Sequence, residues 1–298
     1  MVAPGTLGHD GTVPELPEVE ALTRFLSRRV VDRQVTAVRI GAISALKTFS
    51  PTPDDLIGHP VTGVLRHGTW LDLATDGPRL LVHLSRAGWL RWYDVAPSTP
   101  VRPGRTPIAL RLVLDDGAGF DLTEAGTRKR LAVHVVSRPD DVTQVAALGI
   151  DPLHPAFTAV RLADLARLRN QQVKGLLRDK RLIAGIGNAY SDEILHAARM
   201  SPFALTGSLT DSDVADLHAA ILQVLTEALT IADGRPAAEL KDAKRRGMRV
   251  HGRAGQACPD CGDTVRQVSF ADSALQYCPT CQTDGRELAD RRMSRLLR

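Results

Sequence analysis

The sequence predicts an α+β chain: one leading helix, an N-terminal β-sandwich, then a helical domain that ends in a four-cysteine hairpin. Three observations predict it. Apolar residues recur at helical spacing after a proline-rich start, at Val19, Leu22, Leu26 and Val30. From Val35 to about Val136, short apolar runs separated by turn residues take over, and helical spacing returns beyond Ser137. All four cysteines fall in the last 41 residues, at paired spacing.

Each element has a local reason. Pro17 suits the first turn of the leading helix, where a missing N–H costs nothing. Ile108, Leu110, Leu112 and Leu114 alternate as a half-buried strand. Asp115-Asp116-Gly117 turns the chain, and Phe120 and Leu122 begin the next strand. Pro97 to Pro107 reads as a proline-rich surface loop. Ser137-Arg138-Pro139-Asp140-Asp141 is a polar break and an expected hinge. Val173 to Leu177 forms a short helix. Gly185 and Gly187 interrupt it, Asn188 stands where a cap belongs, and Ile194, Leu195 and Ala198 carry the next helical face. Thr210 and Asp213 open a long amphipathic helix through Leu217, Ile221, Val224, Leu225 and Leu229.

The expected organisation is an extension over residues 1–13, a β-sandwich over 14–137, a helical domain over 138–248, a cysteine hairpin over 249–282 and a basic tail over 283–298. Composition sets the outer limits. A content of 43% hydrophobic and 24% charged residues fits a globular chain and excludes a disordered one. No apolar run looks long enough to span a bilayer, so no membrane partner is expected. The net charge of +4 is a mild basic bias compatible with nucleic acid. Basic residues gather at Lys241, Lys244, Arg245, Arg246, Arg249 and Arg253, and from Arg286 to Arg298. Direct nucleic-acid contact and a solvated helix end are both open for the tail.

The chemistry begins at Pro14-Glu15-Leu16-Pro17-Glu18-Val19-Glu20. In mid-chain a proline nitrogen is an amide without a usable lone pair. At a chain terminus it is a secondary amine, and terminal amines titrate at about pH 8. Such an amine can attack an electrophilic carbon and form an iminium, and Glu15 can move the protons. The thirteen residues before Pro14 decide whether that amine exists. They are rich in Gly and Pro and lack periodicity, so they are expected to be disordered or mis-assigned. A GUG codon for Val13, read as methionine and trimmed before proline, would leave Pro14 first. Intact mass of the natively encoded protein tests this, and a mass that includes Met1 to Val13 would refute it.

The cysteines read Cys258-Pro-Asp-Cys261, 16 residues, then Cys278-Pro-Thr-Cys281. This is the spacing of a four-thiolate site on two knuckles, predicting one structural Zn2+ with no open position. Two disulfides or four unrelated thiols are the alternatives. Disulfides need an oxidising compartment, and no secretory signal is visible. The reduced thiols and the missing signal point to the cytoplasm.

The Gly185-Ile186-Gly187-Asn188 turn offers backbone N–H groups at a helix start, an anion site. An ordinary glycine-rich helix–helix turn is the other reading.

Pro14 to Glu20 resembles the opening of the formamidopyrimidine-DNA glycosylase and endonuclease VIII family. Gly185 to Glu193 resembles that family's helix-two-turn-helix clamp. Val250-His251-Gly252-Arg253-Ala254-Gly255-Gln256 resembles the lead-in to its zinc hairpin, with His251 at the usual aromatic. Leu148 to Leu153 and His83 to Gly88 resemble two further segments. The likeness runs from Pro14 to about Gln282.

The resemblance implies a bifunctional DNA glycosylase and abasic-site lyase of base-excision repair. It would act as a monomer on double-stranded DNA bearing oxidised bases or abasic sites. Pro14 would be the Schiff-base nucleophile, Glu15 its acid partner and Glu18 a supporting carboxylate. His83, Lys174, Asn188 and Arg253 would hold the DNA backbone. Arg86 and Arg128 would fill the void left by a flipped base. Cys258, Cys261, Cys278 and Cys281 would bind zinc.

Departures from the family pattern are equally specific. Thr69 stands at the family's β-strand lysine, and loss of that cation weakens phosphate holding and transition-state stabilisation. Ser273 or Ala274 takes the place of a hairpin arginine. Arg86 replaces a common methionine, and Thr127-Arg128-Lys129-Arg130 replaces an Arg-Arg-Phe run. The stretch from Leu240 to Arg249 is short for a loop that caps an oxidised purine, so oxidised pyrimidines and abasic sites stand beside oxidised purines as expected substrates. A catalytically silent protein that binds damaged or abasic DNA is the rival reading. A general zinc-ribbon nucleic-acid binder is a third, and it leaves Pro14-Glu15 unexplained.

Overall fold

The computed structural model describes residues 13–104, 106–125, 129–270 and 274–289. The described chain sorts into two compact units. One holds Pro14, Leu26–Leu65 and Trp70–Pro139; the other holds Glu15–Phe25, Arg66–Thr69 and the chain from Asp140 onward. The polar break at residues 137–141 is therefore where the chain leaves the first unit, in a short 3-10 turn over Pro139–Asp141. The α+β class predicted from the sequence is what the fold shows.

Helix α1 spans Leu16–Val30 and contributes to both units. The strands are β1 (Val35–Ile40), β2 (Val61–His67), β3 (Trp70–Thr75), β4 (Arg79–His83), β5 (Gly88–Tyr93), β6 (Ile108–Leu114), β7 (Gly119–Glu124) and β8 (Ala132–Val136). They form two four-stranded sheets, ordered β1-β6-β7-β5 and β2-β3-β4-β8. The β6–β7 hairpin turns at the predicted Asp-Asp-Gly, with Gly117 at φ +81°, a conformation open to glycine. Leu110, Leu112 and Leu114 are buried as the alternation requires, and Ala109 and Arg111 on the opposite face are buried as well. The reason is a covered second face. Arg111 makes a two-pronged ion pair with Asp121 (2.7 and 2.9 Å) and donates to the carbonyls of Pro97 and Thr99 in the proline-rich loop. A buried guanidinium needs its donors met in this way.

The second unit contains α2 (Thr143–Ala146), α3 (Ala159–Arg167), α4 (Val173–Arg178), α5 (Asn188–Ala197), α6 (Asp211–Ala232), α7 (Leu240–Gly247), the hairpin β9 (Arg266–Ser269) with β10 (Ala274–Tyr277), and α8 (Pro279–Gln282). Its core gathers Leu16 from α1, Leu176 and Leu177 from α4, Ile194 and Leu195 from α5, and Leu217, Ile221 and Leu225 from α6. Helix α6 starts at the predicted capping box, in which Thr210 and Asp213 satisfy each other's backbone N–H. Its 22 residues, with a mean hydropathy of 1.4 over the most apolar window, are long and apolar enough to cross a membrane by length and composition. This corrects the expectation that no such run exists. Its apolar character is used in this core, where Val214, Leu217, Ala220, Ile221 and Leu225 are buried.

Candidate active site and metal centre

The chain after Pro14 is threaded against the glycine turn before α5. Leu16 N–H donates to the Gly185 carbonyl at 2.9 Å. Gly185 has φ +101°, and a Cβ there would lie 2.8 Å from the Leu16 Cβ. A Cβ on Gly187 would lie 2.5 Å from the Glu15 carboxyl carbon. Both glycines are therefore required by the close approach of the Glu15-Leu16 segment. The Glu15 carboxylate accepts from Gly187 N–H (2.5 Å), Ala189 N–H (3.0 Å) and Tyr190 N–H (3.3 Å). These are orphan donors of the first turn of α5, where the helix dipole also favours an anion. A side chain 172 residues upstream is thus the cap of α5. This corrects the expectation that Asn188 caps it. Gly187 is the N-cap and supplies no side chain, while Asn188 is the first helical residue. Asn188 Nδ2 donates to the Ala274 carbonyl at 2.8 Å, and its buried Oδ1 has no partner among the described residues.

Glu18 lies one turn further along α1. Its Oε2 accepts from the Glu15 N–H at 2.9 Å, and its Oε1 accepts from the Tyr190 hydroxyl at 2.6 Å. Lys244, on α7, reaches both acids, 3.3 Å from Glu15 and 3.0 Å from Glu18, with Nζ 4.7 Å from the Tyr190 ring centre. All four side chains are buried. Burial pushes Glu18 above the usual carboxylate range, against the pull of Lys244 and the Tyr190 hydroxyl. Burial and the neighbouring Glu18 push Tyr190 well up. Burial works against the Lys244 charge, but Glu15 and Glu18 outweigh it, so its net direction is upward. Glu20, on the adjacent face, pairs with Arg66 at 2.8 Å, and Arg66 also holds Asp151 at 2.7 Å.

Lys174 does not present its cation to solvent. It is buried, with Nζ paired to Asp192 and donating to Ser191 Oγ (2.9 Å) and the Asn188 carbonyl (3.3 Å). Burial lowers its pKa, and Asp192 acts in the opposite sense. This corrects the direct phosphate contact expected of Lys174: an ammonium spent on a buried carboxylate braces the start of α5 instead. The other oxygen of Asp192 meets His251 Nδ1 at 2.8 Å. Next to it, Glu193 accepts from the backbone N–H groups of Arg249, Val250 and His251 at 2.8, 3.0 and 2.7 Å, fastening the lead-in to the cysteine hairpin onto α5.

The four cysteine sulfurs lie within 4.8 Å of one another. Cys261 and Cys278 are 3.3 Å apart, and Cys258 and Cys281 are 3.9 Å apart. A tetrahedron with metal–sulfur bonds of about 2.3 Å has sulfurs about 3.8 Å apart, so this donor set fits a structural Zn2+. His196 of α5, fully buried, approaches Cys258 Sγ through Nε2 at 3.3 Å.

The remaining candidates are placed as follows. Pro14 is buried. His83 is half-buried at the end of β4, its ring 4.9 Å from that of Trp70. Arg86 is exposed in the turn before β5. Arg253 is half-buried, donating to the Met248 carbonyl and Gln256. Thr69 is buried between β2 and β3. Arg128 and Ser273 lie outside the described residues, as do residues 1–12 and the tail from residue 290. Lys244 was grouped by sequence with a basic patch, and its burial corrects that placement. Its one early signal is helical spacing from Leu240, which sets residue 244 on the same face as that leucine.

The site joins a carboxylate pair that follows Pro14 in the chain, a helix start capped from afar and a thiolate hairpin, and the comparisons identify the family that shares this fold. The model of the formamidopyrimidine-DNA glycosylase N-terminal domain matches residues 13–133, and that of the formamidopyrimidine-DNA glycosylase H2TH domain matches residues 148–237. A formamidopyrimidine-DNA glycosylase of Symbiobacterium thermophilum is 35% identical over 294 residues, covering 94% of this chain and 93% of the relative. An uncharacterized formamidopyrimidine-DNA glycosylase-like protein of Mycobacterium tuberculosis is 54% identical over 155 residues, 52% of this chain and 97% of that one. Among solved structures, a Lactococcus lactis Fpg mutant in complex with a Fapy-dG-containing DNA is similar with a TM-score of 0.79 and 25% identity, over 91% of this chain and 100% of that one. The chain belongs to the formamidopyrimidine-DNA glycosylase family.

Proposed function

We propose that this protein is a DNA glycosylase with abasic-site lyase activity that removes oxidised bases from duplex DNA. It acts as a cytoplasmic monomer with one structural Zn2+ in the cysteine hairpin. The observation that carries the reading is the Glu15 carboxylate. It is immobilised on three backbone N–H groups immediately after Pro14, with Glu18 behind it. A plain DNA binder has no use for joining that carboxylate to Pro14.

The damaged nucleotide leaves the stack, because its glycosidic bond is unreachable inside the duplex. In a chain that begins at Pro14, the secondary amine attacks the sugar C1′ as the base departs. The N–C bond forms, the glycosidic bond breaks, and the base leaves with the bonding electrons. Glu15 assists ring opening and moves the protons. Loss of the amine proton and cleavage of the C1′–O4′ bond, with a proton delivered to O4′, give the iminium. A base then takes a C2′ proton, and the C3′–O bond breaks as the 3′ phosphate leaves with its electron pair. Water hydrolyses the iminium and frees the enzyme. Asn188, His83 and Arg253 hold backbone phosphates, which positions DNA without reading sequence. Lys174 supports Asn188 from below, and Arg86 with Arg128 fills the gap in the stack. The zinc, when bound, closes the hairpin without taking part in bond making.

A second reading keeps the fold and drops the chemistry: a binder of damaged or abasic DNA. Thr69, at the position where a lysine is expected, favours it. The test is base release from duplexes carrying an oxidised purine or an oxidised pyrimidine, by a chain starting at Pro14, with intact duplex as competitor for binding. Release supports the enzyme. Lesion-selective binding without release supports the binder, and equal affinity for intact DNA without release removes both.

A further inference from the structure

Two acids and a lysine buried in contact are an expensive arrangement, and the placement of the lysine explains what it is for. Lys244 lies on α7 with its side chain 2% exposed, between Glu15 (4%) and Glu18 (3%). Two carboxylates linked through the Glu15 N–H repel each other out of water, and a cation in contact with both offsets that repulsion. From α5, Tyr190 offers a hydroxyl to Glu18 and a ring face to Lys244, and Glu193 adds a further negative charge near Tyr190. Lys180 and Lys174 interact with Glu15 only at longer range, and Lys174 is already committed to Asp192. Lys244 is therefore the cation in contact with both acids among the described residues.

We propose that Lys244 is a positioning residue for the Pro14–Glu15 end. Its ammonium allows Glu15 and Glu18 to sit as neighbours, so that Glu18 can orient the Glu15 peptide next to Pro14 and the Glu15 carboxylate can keep its place on the start of α5. The inference rests on the lyase reading above and deepens it. It also gives the short stretch from Leu240 to Arg249 a function other than capping a base: it delivers a lysine to the acids from beneath.

The test compares Lys244→Met, Lys244→Arg and the double variant Lys244→Met/Glu18→Gln with wild type, all in the chain that begins at Pro14. The readouts are borohydride trapping on abasic duplex across pH, affinity for the same duplex, and melting temperature. In Lys244→Met the trapping rate should fall at least about tenfold. The limb of the pH profile that belongs to the acid pair should move to higher pH by roughly one to three units, the range for a carboxylate that loses an adjacent cation. Lys244→Arg should restore most of the rate and the position of that limb. DNA affinity should hold within about twofold, because Lys244 touches no phosphate. An unshifted profile in Lys244→Met overturns the proposal, as does a loss of rate matched by an equal loss of DNA affinity. If Lys244→Met does not fold, the double variant carries the test, since it removes one charge of each sign. Relieved of the unbalanced acid, the double variant should regain a cooperative melt, and one that does not overturns the proposal equally. A wild-type chain that forms no adduct overturns the lyase reading and this inference with it, whereas a wild-type adduct with a normal Lys244→Met profile overturns the inference alone.

Discussion

At the scale of single residues, the site is defined by close approaches that leave no slack. Gly187 cannot carry a side chain while Glu15 keeps its place, since the added Cβ would meet the carboxyl carbon at 2.5 Å. Gly187→Ala should therefore cost about 1–3 kcal/mol in urea unfolding, the usual range for overpacking. It should also reduce adduct formation on abasic DNA, because the carboxylate is displaced from its three donors. A Gly187→Ala protein with wild-type stability and trapping would show that Glu15 is held elsewhere in solution. Glu20 offers a pH test of its own. Burial raises its pKa, but the Arg66 and Arg24 guanidiniums outweigh that and hold it below its ordinary value of 4.5. A depressed carboxylate stabilises the fold above its unfolded pKa, and the contribution fades as pH falls through the folded value. The urea-midpoint difference between wild type and Glu20→Gln should be present at about pH 6 and shrink on acidification below the unfolded pKa. A difference that does not change with pH would contradict the ion pair.

At the scale of elements, legibility in the sequence follows the range of the forces involved. The α6 capping box and the Asp-Asp-Gly hairpin are local, and both were readable as strings. The cap of α5 was not, because its acceptor comes from Glu15, 172 residues away. The Asn188 signal was local, and the tertiary partner displaced it. The charge of Lys244 misled for a similar reason: the sequence shows a basic run, while the helix turns one of its members inward. The cysteine hairpin lies between these cases, its spacing plain and its fastening hidden. Glu193 ties residues 249–251 to α5, and His196 meets Cys258. Chelation of the metal should therefore unfold β9 and β10 and weaken binding to abasic duplex, while α6 and the helical core persist. Zinc analysis should give about one ion per chain, the stoichiometry of a four-thiolate site. A chain that retains full DNA affinity after complete zinc removal would contradict a structural role for the hairpin in binding.

At the scale of the whole molecule, the family was legible because the residues that carry the resemblance are concentrated in short segments, Pro14 to Glu20, Gly185 to Glu193 and the cysteine hairpin. The change from strand to helical periodicity falls near residues 137–141, where the chain passes from the first unit to the second. What periodicity could not convey is that α1 and residues 66–69 contribute to the unit formed mainly from Asp140 onward. Contacts between distant segments leave no periodic trace. The central claim is that the amine of Pro14 performs the chemistry, with Glu15 held beside it. The most direct measurement is borohydride trapping on abasic-site duplex, run side by side with a chain that begins at Pro14 and with the 298-residue chain. The account predicts a covalent adduct with the chain that begins at Pro14 and none with the longer one, whose Pro14 nitrogen is an amide. No adduct from the chain that begins at Pro14, under conditions where it binds the same duplex tightly, would contradict the account and leave a protein that recognises the damage without cutting it.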